Sequence, residues 1–267
     1  MTKWTVPQVV NGKVYLPQEG GDNCEHEIVD RNGQTHTLWF VNPQSLVEKI
    51  LPERRQDISE LYDYPIWLVV EELAAVGKKL TDETLQSVHE YSSKFSVLSL
   101  PVLRVDAGRL RQLFSLPALT LILLNEIGDL RKLDKGAPLA SLHPAWERWL
   151  GQVLLHFVPG HVGTAAGLDF VKAVLTKGHN VFITPPEDPF TLSLFAKLMI
   201  GANPDSPITR HLSVIFWPQE IDLAPLLQAD LVNRVVHWGE PIGGKHNQLL
   251  QSVLKSGIPT VSFGSRS

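Results

Sequence analysis

The stretch HFVPGHVGTAAGLDFVKAVLTKGHNVFITPPEDPF, residues 156–190, decides the fold class. An apolar run at 154–158 leads to the turn Pro159-Gly160, helical apolar spacing follows at 163–175, and a second apolar run occupies 180–183. These elements form one βαβ unit. The strands of such a unit are parallel, and its ligands bind at their carboxyl ends.

Strands and helices continue to alternate towards Ser267. Further strands are predicted at 212–217, 234–238 and 260–263, and further helices at 190–200, 221–227 and 246–254. We expect Gly178 to end the first helix in the left-handed conformation, where its missing Cβ avoids a clash. The alternation predicts an α/β fold with a doubly wound parallel sheet.

The N-terminal part has a different pattern. Residues 4–40 alternate polar and apolar and predict an antiparallel β segment, in which Asn32-Gly33 forms a hairpin turn. Helical spacing then appears at 45–50, 66–80, 81–95 and 109–125, with a polar loop at 129–138. Thr81 is expected to cap its helix. We therefore divide the chain into a β segment at 1–41, a helical region at 42–150 and an α/β region at 151–267.

The composition is that of an ordinary globular protein, with 267 residues, 43% of them hydrophobic and a net charge of −4. This charge gives no reason to expect nucleic acid or an anionic membrane as partner. The longest apolar stretch, 116–124, contains Pro117 and is too short to span a bilayer. With the single Cys24, which cannot form an internal disulfide, we expect a cytoplasmic protein.

The run Gly239–Lys245 has the spacing of a phosphate-binding P-loop between a strand and a helix. His246 stands where such a loop needs a Ser or Thr hydroxyl for magnesium. The run is therefore interpreted as a glycine-rich turn. No G-x-G-x-x-G fingerprint follows any strand.

The histidines and the single cysteine do not indicate a metal site or a reactive thiol. The spacing of His143, His156, His161 and His179 matches no known metal site, so we predict surface or core histidines and no metal. Cys24 lies in a polar hairpin and is interpreted as an incidental thiol. Trp238 ends a strand, where it either packs in the core or covers a cofactor.

The segment Thr184–Pro189 follows the strand at 180–183, on the edge where a nucleotide's ribose would lie. There Glu187 could accept hydrogen bonds from hydroxyls. The alternative is a rigid connection in which Glu187 or Asp188 interacts with the positive end of the next helix.

Five segments in the second half resemble the bacterial fatty acyl-CoA reductases of the luminescence system, a branch of the aldehyde dehydrogenase superfamily. They occur in the family's order over about 110 residues. They are HFVPGHV at 156–162, VKAVLTKGHNVFITPPEDPFT at 171–191, NPDSPITRHLSVIFWP at 203–218, VVHWGEPI at 235–242 and IPTVSFGSRS at 258–267.

The resemblance implies an aldehyde dehydrogenase-like nucleotide-binding domain that takes NADPH and serves reduction of a fatty acyl-CoA or other acyl thioester to an aldehyde. In that chemistry a cysteine thiolate attacks the thioester and the nicotinamide supplies hydride. The implied cofactor-binding residues are Pro159, Gly160, Thr184, Pro186, Glu187, Trp238 and Gly239. His161 is the implied catalytic residue, in the turn that approaches the reacting carbonyl.

Three departures from the family pattern qualify these expectations. Thr184 replaces the usual lysine, and His161 replaces an asparagine that donates to the developing oxyanion. The family's catalytic cysteine should follow the strand at 260–263 by some distance, and Cys24 does not match it by position. We thus expect weak cofactor binding and no turnover by the chain alone.

The expected partners are an acyl thioester, a separate chain with the catalytic domain or an acyl-transferring protein, and a second copy in a homodimer. The alternative is a non-catalytic relative that acts by binding a partner protein. It predicts no nicotinamide binding.

Overall fold

A computed structural model of the chain describes residues 2–51, 58–96, 98–134, 136–138, 146–147, 152–160, 163–218, 220–228, 231–238 and 255–263. The strands are β1 (Lys3–Thr5), β2 (Gln8–Val10), β3 (Lys13–Tyr15), β4 (Asn23–Val29), β5 (Thr35–Val41), β6 (Ala137–Pro138), β7 (Trp146–Glu147), β8 (Val153–Phe157), β9 (His179–Thr184), β10 (Leu212–Phe216), β11 (Arg234–Trp238) and β12 (Thr260–Phe263). The helices are α1 (Val47–Ile50), α2 (Glu60–Asp63), α3 (Ile66–Lys79), α4 (Asp82–Phe95), α5 (Leu100–Leu113), α6 (Leu116–Glu126), α7 (Arg131–Asp134), α8 (Gly163–Leu175), α9 (Thr191–Ile200) and α10 (Pro207–Arg210), with 3-10 turns at Pro43–Leu46 and Ala224–Leu226.

The main sheet has seven strands in the order β12-β11-β8-β9-β10-β2-β3. The first five are mutually parallel, which confirms the predicted α/β fold with a doubly wound sheet. The sequence pattern did not predict that β2 would join this sheet. It pairs antiparallel with β10 through Val9 and Val214, and β3 pairs antiparallel with β2 at the edge.

The smaller sheet contains the predicted hairpin. Strands β4 and β5 pair antiparallel, and Gly33 adopts φ +79° in their turn, as the Asn-Gly signal indicated. The expectation of a wholly antiparallel β segment was wrong, because β1 pairs parallel with β5. Parallel pairing requires a long connection, and the chain between β1 and β5 supplies one. The three-region division of the chain stays a prediction.

Helices α8 and α9 contact each other, and both contact α3, while α5 also packs on α8. Helix α8 has the predicted bounds because its apolar positions face this interface and the sheet. Thr81 caps α4 as predicted, in a capping box with Thr84. No helix in the described part of the chain combines the length and the apolar character needed to cross a membrane.

The single helix predicted at 109–125 is two helices. Helix α5 ends at Leu113, and Ser115 accepts a hydrogen bond from Ala118 N to cap α6. Pro117 lies in the first turn of α6, where its missing amide hydrogen costs nothing. The apolar spacing continues across the break and conceals it.

Three other local predictions need correction. The loop predicted at 129–138 contains α7, and the helix predicted at 221–227 is only the 3-10 turn at 224–226. The left-handed residue after α8 is Lys177, with φ +54°, and not Gly178. The helix predicted at 246–254 lies outside the described residues.

Glycine is nevertheless the residue that fits at 178, for a different reason. A Cβ added to Gly178 would lie 2.8 Å from the Gln152 carbonyl oxygen, just before β8. This close approach lets the chain pass directly from α8 into β9. The adjoining Lys177 side chain points into the protein.

Candidate functional site

Two turns meet at the carboxyl edge of the parallel strands. Pro159-Gly160 follows β8, and Pro185–Asp188 follows β9. A Cβ added to Gly160 would lie 2.9 Å from the Pro185 side chain and 3.0 Å from both the Cβ and a carboxylate oxygen of Glu187. The predicted residues Gly160 and Glu187 are therefore in direct proximity, and Gly160 allows this because it has no side chain.

We expect Gly160→Ala to lower the free energy of unfolding by about 1–3 kcal/mol, because the rigid Pro185 ring cannot move aside easily. Gly108→Ala is the matched control. Gly108 lies on the exposed face of α5, with no atom within 4 Å of an added Cβ, so alanine should stabilise the helix by about 0.5–1 kcal/mol. Urea denaturation of both variants measures the contrast. Equal effects of the same sign would contradict close packing at Gly160.

Thr184 and Pro186 both lie on this edge, but their oxygen atoms bond to different parts of the protein. Thr184 is 1% exposed, and its hydroxyl donates to the Ile215 carbonyl oxygen at 3.3 Å. The half-buried Pro186 presents its carbonyl oxygen to the hydroxyl of Tyr91 from α4. Burial raises the Tyr91 pKa, and the nearby charges of Asp188 and Glu187 raise it further. Tyr91 thus holds the turn as a neutral donor.

Carboxylates already occupy the N-termini of the helices that follow β8 and β9. Asp106 of α5 accepts from the Thr164 amide at 3.0 Å and from the Thr164 hydroxyl at the start of α8. Asp188 accepts from the Thr191 amide at 3.0 Å at the start of α9. At each site a carboxylate therefore already holds an amide of the first turn, and it disfavours a phosphate there.

The carboxylate of Asp188 interacts with the next helix, as one sequence interpretation proposed. Burial raises its pKa, and its hydrogen bonds to Thr191 and Phe190 oppose that shift. The role of Asp106 was missed because it lies 58 residues before its partner Thr164. No local pattern in the sequence connects them.

Trp238 ends β11 beside this edge. Its ring stacks on Phe263 of β12, with centroids 4.5 Å apart. The predicted site residues His161 and Gly239, and the whole run Gly239–Lys245, lie outside the described residues. Their roles stay predictions.

A buried polar pair lies beneath the turn after β8. His156 Nδ1 is 3.1 Å from a carboxylate oxygen of Asp169 on α8, and Nε2 is 3.3 Å from the Asn180 side-chain oxygen on β9. The imidazole also stacks on Phe182, with centroids 4.6 Å apart. His156 is thus one of the core histidines that the sequence predicted. It joins helix to sheet.

Cys24 is half-buried on β4, opposite Phe40 of β5. Burial raises the pKa of its thiol, and the negative charge of Asp22 raises it further. A nucleophilic cysteine needs the opposite shift. Within the residues the structure describes, no group of three or more His, Cys, Asp or Glu side chains is placed to hold a metal ion.

Of the described edge residues, Glu187 has the acceptors that the hydroxyls of a ribose would need. Glu187 is half-buried at the turn after β9 and offers acceptors for hydroxyls. The edge does not fit a pyrophosphate at α8 or α9, because Asp106 and Asp188 are there. The remaining predicted position for phosphate is the turn after β11, which contains Gly239.

A family model described as "Acyl-CoA reductase (LuxC)" matches residues 63–267. Among curated proteins, the chain is 25% identical over 241 residues to a long-chain acyl-protein thioester reductase of Aliivibrio fischeri, a match that covers 88% of the chain and 48% of that protein. It is 26% identical over 247 residues to the protein of the same description from Photorhabdus laumondii, with 90% and 48% covered. The chain spans about half the length of these relatives.

Solved structures of aldehyde dehydrogenases share the fold. Lactaldehyde dehydrogenase from Escherichia coli aligns with a TM-score of 0.72 at 11% identity, covering 98% of the chain and 52% of that protein. Betaine aldehyde dehydrogenase from Staphylococcus aureus, solved with NAD⁺, aligns with a TM-score of 0.70 at 12% identity, covering 96% and 48%. At such low identities these likenesses establish the architecture alone.

Proposed function

Because the chain belongs to the acyl-CoA reductase (LuxC) family, we propose that it forms the cofactor-positioning half of an enzyme that reduces a long-chain acyl thioester to an aldehyde. The observation that carries this proposal is the contact between the turns after β8 and β9, which brings Gly160 beside Glu187. In the complete reaction, the thioester, NADPH and a proton yield an aldehyde, a thiol and NADP⁺.

NADPH would supply the hydride when bound. On this chain, Glu187 would accept hydrogen bonds from ribose hydroxyls, and Pro186 would limit how the turn moves, because Tyr91 holds its carbonyl oxygen. Gly239 would let the backbone approach the phosphates, and Trp238 would border the nicotinamide end. His161 would face the reacting carbonyl in the place of an oxyanion donor.

The attacking thiolate is proposed to come from a segment or a chain other than residues 1–267. The sequence has one cysteine, and both the burial of Cys24 and its neighbour Asp22 keep its thiol protonated. An acyl-transferring protein or a chain with the catalytic domain would be the natural partner. The relatives' description as acyl-protein thioester reductases supports this assignment.

The test is a titration of NADPH and NADP⁺ into the purified chain, monitored by tryptophan fluorescence. We expect saturable NADPH binding, weakened about tenfold by Glu187→Gln, since one charge-assisted hydrogen bond contributes about 1.5 kcal/mol. Glu27→Gln, an exposed glutamate on the β4–β5 hairpin, should bind as the unchanged chain does. Gly239→Trp should abolish binding.

Two observations favour a second candidate, a non-catalytic relative that acts by binding a protein partner. Thr184 stands in the lysine position with its hydroxyl already bonded to Ile215, and Cys24 is not activated. This candidate predicts no NADPH signal at any concentration. Saturable binding that depends on Glu187 would exclude it.

A further inference from the structure

A cleft of 610 Å³ lies beside α8, over the β8, β11 and β12 part of the main sheet. Pockets for small molecules have volumes of roughly 300–1,000 Å³, so the cleft has the size of a ligand site. Its floor consists of alternate strand residues, which share one face of a sheet. The apolar members of the floor are Leu154, Val236, Trp238, Val261 and Phe263.

The apolar part of the floor is incompletely covered. Val236, Val261 and Trp238 are only partly buried, and Phe263 is 45% exposed. Elsewhere on the sheet, β9 and β10 are fully buried along their length. Covering this exposed apolar area with an apolar group is favourable, because water is displaced from it.

Charged and polar groups line the cleft from α6 and α8, and Gln152, His156 and Arg234 lie beside the apolar residues of the floor. Lys172 of α8 forms an ion pair with Glu126 of α6 at 2.8 Å, and both side chains border the cleft. His156 on the floor and Asp169 of α8 are hydrogen-bonded to each other. Their hydrogen bonds are made within the protein, so an apolar ligand would not leave this pair unsatisfied.

The cleft follows the strands, and one of its ends lies at the carboxyl edge of the sheet. Trp238 and Phe263 lie at the carboxyl ends of β11 and β12, beside the edge that carries Gly160 and Glu187, whereas Arg234 lies at the opposite end of β11. Four residue steps of a strand extend about 13 Å. The apolar part of the floor therefore extends along the strands with one end at the carboxyl edge.

We infer that this cleft holds the hydrocarbon tail of the long-chain acyl thioester, with the thioester end beside Trp238 and the methyl end towards Leu154 and Arg234. The inference rests on the proposed function and assigns the part of the substrate that the edge residues do not contact. A saturated chain would cover the apolar floor without requiring any hydrogen bond from it.

The test uses cis-parinaric acid as a fluorescent probe, without nucleotide, and displaces it with saturated fatty acids of eight to fourteen carbons. Each added methylene should tighten binding about fourfold, which corresponds to about 0.8 kcal/mol, until the chain outgrows the cleft. Val236→Glu, which places a charge in the floor, should weaken binding at least tenfold. Val29→Glu, on the exposed surface of β4, is the matched control and should not change it.

Val261→Trp fills the cleft without adding charge and provides the second variant if Val236→Glu does not fold. Unchanged affinity in a folded variant of either kind would overturn the inference. Sedimentation tests whether a second copy of the chain covers the cleft instead. If Val236→Glu breaks a dimer and leaves fatty-acid binding intact, the cleft is an interface between copies and the inference is wrong. Because the assay omits NADPH, loss of nucleotide binding and loss of tail binding are separate results.

Discussion

Replacing Lys177 with methionine should lower the free energy of unfolding by about 3–5 kcal/mol, because it would leave a carboxylate without its buried cation. The Lys177 side chain is 2% exposed, and its ammonium lies 2.9 Å from a carboxylate oxygen of Asp134. It also donates to the carbonyl oxygens of Tyr64 and Tyr62 at 2.9 and 3.3 Å. Asp134 in turn accepts from the Ile66 amide at the start of α3.

Lys172→Met is the matched control for this variant. Lys172 lies on α8, five positions before Lys177, and its ammonium is 2.8 Å from a Glu126 carboxylate, but both side chains are well exposed. Exposed ion pairs contribute about 0–1 kcal/mol. Chemical denaturation should therefore separate the two lysines by at least 2 kcal/mol. Similar losses would show that burial of the Lys177 ammonium is not what makes it important.

Lys177→Gly tests how much the backbone conformation matters. Glycine suits φ +54° better than lysine does, by about 1–2 kcal/mol. It also loses the charge and leaves a cavity where the buried side chain lay, which costs about 2–5 kcal/mol. We therefore expect Lys177→Gly to be at least as destabilising as Lys177→Met. A glycine variant more stable than the methionine variant would show that relief of the left-handed backbone outweighs the cavity.

Stability should also fall by about 3 kcal/mol between pH 6.5 and pH 4 through His179 alone, at about 1.4 kcal/mol per pH unit. Burial, and then the charge of His211, lower the pKa of His179 to about 4. In this window the unfolded chain binds a proton that the folded chain does not bind. The stabilising contribution of neutral His179 is fully present above pH 6.5 and has been lost below pH 4.

The physical cause lies at the amino ends of β9 and β10. His179 Nε2 faces the Ile50 carbonyl oxygen at 2.7 Å, so it carries the hydrogen, and Nδ1 is left to accept from His211 at 3.0 Å. His211 also contacts Glu60, which is bonded to Arg210. Protonation of Nδ1 on His179 would place a hydrogen on each of the two facing Nδ1 atoms, those of His179 and His211, and the hydrogen bond between them would be lost.

Denaturation curves from pH 7.5 to pH 4.5 measure this effect. His179→Gln removes the titrating ring, so its stability should depend less steeply on pH than that of the unchanged chain, with a difference of up to one proton. The ionisable groups that do not interact with His179 contribute to both curves and cancel in the comparison. Parallel curves would show that His179 titrates normally in the folded protein.

The regular elements were predictable because their signals are local. The bounds of α8, β11 and β12 follow from apolar spacing between glycines and prolines, and Thr81 and Asn32-Gly33 act on neighbours within four residues. The pairing of β2 with β10 was not predictable in this way. Nothing within β2 distinguishes a partner at Val214 from one in the adjacent hairpin.

For the candidate site, too, local features were predictable and contacts between distant segments were not. Pro159-Gly160 and Thr184–Pro189 were located on the edge because a βαβ unit brings consecutive strand ends together. The Asp106 cap on α8, the Tyr91 bond to Pro186 and the cleft floor join residues from distant segments. Predictions at Lys177 and Gly178 failed because a buried partner and a backbone contact, rather than propensity, decide those two conformations.

The insertion of β2 beside β10 has a consequence for biosynthesis. The Asn11 amide donates to the Ser213 hydroxyl across 202 residues, so the first strands leave the ribosome long before their partner exists. At about 5–20 residues per second, the delay is about 10–40 s. During that time β2, whose three residues are all buried in the final fold, presents apolar side chains and unpaired amides to chaperones and to other nascent chains.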